Sequence, residues 1–80
     1  MKSGDEATNS IMLGIRLKAL REASRMTQAE VSARLKCWPS QISCYESGKY
    51  VPNLFTFFQM LKLYKVSADA VMGWLELPEV

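Results

Sequence analysis

The chain has no histidine, which removes both the commonest general base and the commonest metal ligand. Cysteine is almost as scarce, with only Cys37 and Cys44. Structural zinc needs four ligands and this chain cannot assemble a Cys/His set, so neither a metal nor a cofactor is expected. The first ten residues are polar and carry no apolar signal core. Two thiols in such a chain read as free cysteines of a reducing compartment, and the expected location is the cytoplasm. No apolar run approaches the roughly 18 residues of a membrane span, so no membrane partner is expected. Carboxylates do not cluster and no glycine-rich loop could cradle a phosphate. The expectation is therefore a protein that is not an enzyme and has no small-molecule ligand. Runs of β-branched residues bracketed by turn signals are missing too, which argues against strands in the body of the chain.

What is present is enough for one small core. Eighty residues at 49% hydrophobic content describe a single domain of marginal stability. The net charge of +2 hides an uneven distribution. Between Ile11 and Trp74 there are nine Lys and Arg residues against four Asp and Glu, while Asp5, Glu6, Glu76 and Glu79 make the tails acidic. A mildly basic body suits a phosphate backbone, although charge alone describes a solvated surface equally well.

Helical spacing dominates. Residues 1–10 are expected to form a flexible arm, with Ser10 capping a first helix over 11–24 that buries Leu13, Leu17 and Leu20. Thr27 and Glu30 stand at capping-box spacing and open a second helix, with Val31 and Leu35 inward. Pro39 fits the first turn of a third helix, which Gly48 stops near Ser47. Ile42 and Tyr45 are its expected inward pair. Asn53 caps a fourth helix over 54–64 that is apolar on several sides, and Ser67 caps a short fifth over 68–72. The tail 74–80 alternates apolar and acidic residues, the pattern of a short strand. The expected fold is all-α: a compact five-helix domain over 11–73, with a helix-turn-helix over about 28–47.

The outward face of the third helix follows from its period. With Ile42 and Tyr45 inward, Ser40, Cys44 and Ser47 point outward, flanked by Gln41 and Ser43. That face is small, polar and uncharged. If it meets DNA, Gln41 is the best-equipped reader, because an amide can pair bidentately with adenine, and Cys44 can touch a thymine methyl. Taken by itself, the same face also fits ordinary solvation.

Thr27-Gln28-Ala29-Glu30-Val31, followed by Ile42-Ser43-Cys44-Tyr45-Glu46-Ser47-Gly48-Lys49 and Pro52, resembles the phage repressor and Cro type of helix-turn-helix domain, the XRE family. The similarity runs from about Leu13 to Met72. It implies a lambda-repressor-like fold and double-stranded DNA as partner, with the helix from Gln28 supporting and the helix from Pro39 reading the major groove. On this resemblance Thr27 and Gln28 begin the supporting helix, where Gln28 binds a phosphate through its side chain and backbone N–H. Lys36, Ser47, Lys49, Tyr50 and Asn53 supply further backbone contacts. Trp38 and Pro39 open the reading helix and join the DNA-binding set. Trp38 either packs on the supporting helix or lies against the sugar-phosphate backbone, and packing is favoured because large aromatics are usually buried. Arg21 and Glu46 match a structural ion pair between the first and third helices.

Departures from the family pattern carry information as well. Lys36 and Lys65 stand where glycine is common, so Lys36 is expected to hold a positive φ at some cost. The reading helix carries no Arg or Lys, the usual readers of guanine, which predicts a site leaning to A·T. One such domain contacts few base pairs, and the resemblance implies a homodimer on a palindromic operator, acting as a repressor. Phe55, Phe58, Val71, Trp74, Leu75 and Leu77 form the expected dimer surface; the alternative is that they only close the small core. The competing function is a protein-interaction module of the same fold with weak or no DNA binding.

Overall fold

A computed structural model describes residues 3–67 and 70, with side chains from residue 9 onward. Among these residues all regular structure is helical: α1 (Ser3–Ala23), α2 (Gln28–Leu35), α3 (Pro39–Ser47) and α4 (Leu54–Tyr64). None of these helices is long and apolar enough to cross a membrane.

The first helix begins at Ser3, so residues 3–10, expected as an arm, are helical and Ser10 lies inside α1 instead of capping it. No proline interrupts this stretch and Glu6 and Ala7 are good helix formers, although Gly4, Asp5, Thr8 and Asn9 are poor ones.

The other boundaries follow local chemistry. Thr27 Oγ1 accepts the Glu30 N–H at 3.0 Å, and Glu30 Oε1 accepts the Thr27 N–H at 2.8 Å. Asn53 Oδ1 accepts the Thr56 N–H at 2.8 Å. Gly48 ends α3 at φ +84°, a conformation that costs glycine little. Lys36 and Lys65 end α2 and α4 in the left-handed region at φ 59° and 60°, and Arg25 adopts it as well, at 59°, between α1 and α2. A side chain with a Cβ pays for that conformation.

Leu17, Val31, Ile42 and Met60 are fully buried and contribute one core side chain per helix, with Tyr64 beside them. Leu13, Leu20, Leu35, Phe57 and Leu63 close the edges of this cluster. Helix α3 packs against both α1 and α2, and α4 packs against α2. The α1–α3 crossing is very close. A Cβ on Gly14 would lie 2.6 Å from the Tyr45 carbonyl oxygen and closer still to that of Glu46. Glycine here brings two backbones together, which outweighs its roughly 1 kcal/mol helix penalty.

The fifth helix expected over 68–72 falls almost entirely outside the described residues. Ser67 Oγ accepts the Ala70 N–H at 3.2 Å, as a helix N-cap does. The strand expected over 74–80 lies wholly outside them.

Candidate nucleic-acid interface

Helix α3 has two unlike sides. Ile42 is fully buried and Glu46 nearly so at 8% exposure, with Tyr45 half-buried between them and the solvent. The inward set is therefore wider than the expected pair of Ile42 and Tyr45, because Glu46 belongs to it. Ser40, Gln41, Ser43 and Ser47 are exposed on the other side, and Cys44 is half-buried at its margin. This exposed side carries no formal charge.

Glu46 is buried because its charge is answered on every side. Arg21 Nε donates to Oε2 at 2.6 Å and Arg21 Nη2 to Oε1 at 3.1 Å. Arg21 Nη1 also donates to the Met26 carbonyl at 2.8 Å. The hydrogen bond to Glu46 raises the Arg21 pKa above its ordinary value, against the opposing effect of burial. Gln28 Nε2 completes the set by donating to Glu46 Oε1 at 3.0 Å. The carboxamide expected to meet a phosphate thus faces a carboxylate inside the domain. The Gln28 backbone N–H remains at the start of α2, where a helix leaves its first donors unpaired. This network joins the end of α1, the start of α2 and the end of α3. Tyr64 lies near it, buried, and its hydroxyl has no hydrogen-bond partner among the described residues. Burial pushes the Tyr64 phenol up to about 12; the Glu46 charge adds to the shift and Arg21 opposes it.

The surround of α3 is exposed. Trp38 is 73% accessible, which overturns the expectation that it packs on the supporting helix. Its neighbour Cys37 turns toward the core instead, and burial pushes the Cys37 thiol pKa up. Gln41, expected to read bases, is engaged locally: its Oε1 accepts the Trp38 N–H at 3.1 Å, while the Trp38 carbonyl accepts the Gln41 N–H at 2.9 Å. Thr27, Lys36, Pro39, Lys49, Tyr50 and Asn53 are all exposed. Lys49 Nζ lies 5.7 Å from the centre of the Tyr50 ring. An open groove of about 390 Å³ separates Ser40, Gln41 and Cys44 of α3 from Tyr50, Val51 and Asn53 of the following loop. No group of three or more potential metal ligands occurs among the described residues.

Phe55 and Phe58 point away from the core, 72% and 54% exposed, together with Leu54 at 67%. Val71, Trp74, Leu75 and Leu77, the other residues of the expected dimer surface, lie outside the described residues. Residue-type reasoning missed Gly14 and the Gln28–Glu46 contact. A glycine at the centre of an otherwise regular helix was the available signal for the first; the second depends on tertiary placement alone.

Residues 12–72 match the helix-turn-helix domain family. The chain is similar to the HTH-type transcriptional regulator ImmR of Bacillus subtilis (strain 168), 34% identical over 61 residues that cover 76% of this chain and 48% of that protein. It thus spans about half the length of that curated relative. No solved structure matches it.

Proposed function

We propose that this chain, which belongs to the helix-turn-helix domain family and within it to the phage repressor and Cro type, binds double-stranded DNA sequence-specifically and regulates transcription. The observation that carries the reading is the uncovered side of α3, with Ser40, Gln41, Ser43 and Ser47 exposed, held in place by the buried Arg21–Glu46 pair. In this reading α2 rests on the phosphate backbone and α3 enters the major groove. Lys36, Ser47, Lys49 and Tyr50, with the helix starts at Gln28 and Asn53, hold phosphates, and Ser40, Ser43 and Cys44 approach base edges. With no Arg or Lys on α3, the bidentate grip on guanine is missing and the site leans to A·T, with duplex shape contributing. Two copies act together as a homodimer in the cytoplasm, on half-sites one helical turn apart, and repress by occupying the operator. Their contact forms around Phe55 and Phe58, extended by Val71, Trp74, Leu75 and Leu77.

A mobility-shift titration tests the reading, first on random duplex at increasing salt and then on duplexes selected from a random pool. DNA binding predicts affinity that falls with salt at a log–log slope of about −0.9 per phosphate contact, and a selected site that is two-fold symmetric and rich in A·T. A guanine-dominated consensus would refute the A·T reading. Absence of any salt-dependent binding would favour the second reading, a protein-interaction module of the same fold. The lack of any cation on the exposed side of α3 speaks for that alternative.

A further inference from the structure

Trp38 is the largest apolar side chain next to α3, and 73% of it stands in solvent. Its backbone, by contrast, is pinned. The N–H donates to Gln41 Oε1 at 3.1 Å, the carbonyl accepts from the Gln41 N–H at 2.9 Å, and Pro39 follows directly. The indole is therefore presented from a fixed base at the start of α3, the end of a reading helix that points at base edges.

Its surroundings narrow what it can meet. The exposed side of α3 offers hydroxyls, a thiol and an amide but no cation. Gln41 is committed in part, because pairing bidentately with adenine uses the same carboxamide oxygen that caps Trp38. Left in place, that amide offers its two N–H donors and one oxygen lone pair whose direction the cap fixes. Ser40 adds a hydroxyl at this end of the helix, but the largest exposed group here is the apolar indole, and the apolar feature of the major groove is the 5-methyl group of thymine. The surface is continuous with the interface described above: exposed Lys36 precedes it, and Tyr50 and Val51 are exposed beyond the far end of α3.

We infer that Trp38 is a specificity-determining residue whose indole covers a thymine 5-methyl group at the edge of each half-site. The inference rests on the DNA-binding reading and goes beyond it by moving discrimination from Gln41 to Trp38.

The test starts from duplexes selected by the wild-type protein. Each thymine in turn is replaced by deoxyuridine, which removes the methyl group and keeps every hydrogen bond, and affinity is measured for wild type, Trp38→Phe and Trp38→Ala. One position per half-site should lose about fourfold with the wild-type protein, the worth of one buried carbon. Trp38→Ala should bind the thymine duplex several-fold more weakly, ignore the uridine substitution there, and lose clearly less on random duplex than on the selected one. Trp38→Phe should retain part of the methyl response. The indole is exposed, so the unfolding midpoint should not move. A Trp38→Ala protein that keeps the full uridine response, or that weakens selected and random duplexes alike, overturns the inference and places the indole off the bases. A wild-type protein with no salt-dependent duplex binding would overturn the DNA-binding reading itself, and this inference with it.

Discussion

At its C-terminal end α3 lies against the backbone of α1 at Gly14 and carries the buried Glu46 carboxylate. At its N-terminal end Trp38, Pro39, Ser40 and Gln41 stand in solvent. Nine residues thus separate two tasks. One end sets where the helix lies and the other is free to touch a partner. The buried end concentrates interactions that fail badly when one member is lost; the exposed end holds side chains whose removal costs the fold little. A short helix can present a mutable surface without losing its orientation if its anchor is elsewhere along its length.

The strongest way to break that contrast is Glu46→Ala. It leaves the Arg21 guanidinium, whose side chain is 11% exposed, without its carboxylate and strips Gln28 of its acceptor. Losing one member of such a buried pair costs about 3 kcal/mol, a large share of the stability of a domain this size. Ser43→Ala, on the exposed side of the same helix, should change stability by less than about 0.5 kcal/mol. Urea unfolding of the two variants measures the difference, and equal losses would erase the distinction between the two sides.

Tyr64 sharpens the comparison through pH. Its phenol is raised from 10 to about 12 in the folded protein. The folded state keeps the proton where the unfolded chain has lost it. Stability is therefore full below pH 10 and declines as pH rises toward 12. Two full pK steps correspond to about 2.7 kcal/mol, and residual solvation around the ring should reduce this to about 1–2 kcal/mol. Tyr64→Phe removes a buried hydroxyl that has no partner among the described residues, so stability at neutral pH should hold or rise slightly. The alkaline decline should shrink by Tyr64's share. Tyr45, raised by its own burial, stays in both proteins and cancels in the difference. Parallel stability profiles for wild type and variant would remove Tyr64 from the anchored region.

How far the sequence alone reached follows the same division. Helix ends governed by one residue's local chemistry were legible: the Thr27–Glu30 box, Pro39, Gly48 and Asn53 each act within a turn of their own position. The start of α1 was not, because a polar stretch with adequate propensity forms helix without an apolar period to announce it. The pairing of Arg21 with Glu46, 25 residues apart, came from family resemblance; nothing in the spacing marks it. The exposure of Trp38 runs against the general tendency of aromatics to be buried, because the turn after Lys36 sends Cys37 inward instead. The amide of Gln41 suits adenine, and its place three residues after Trp38 is also the spacing of a capping contact, which residue type alone does not announce.

Lys36 gives the smallest expected effect and separates stability from recognition within one residue. It holds φ 59° at the end of α2, a conformation in which a Cβ is penalised and glycine is not. Lys36→Gly relieves that cost, and the greater freedom of glycine in the unfolded chain offsets part of it, leaving a gain of about 0.5 kcal/mol. The same change deletes an exposed cation beside α3. If Lys36 holds a phosphate, duplex affinity should fall while the domain becomes more stable, and the log–log salt slope should shrink by about 0.9. Lys65→Gly is the control: its φ of 60° gives the same relief at the end of α4, away from the α3 residues that carry the interface, and affinity should not change. A stability loss in Lys36→Gly would defeat the strain argument. An unchanged salt slope would remove Lys36 from the phosphate contacts and leave that side of α3 to the helix start at Gln28.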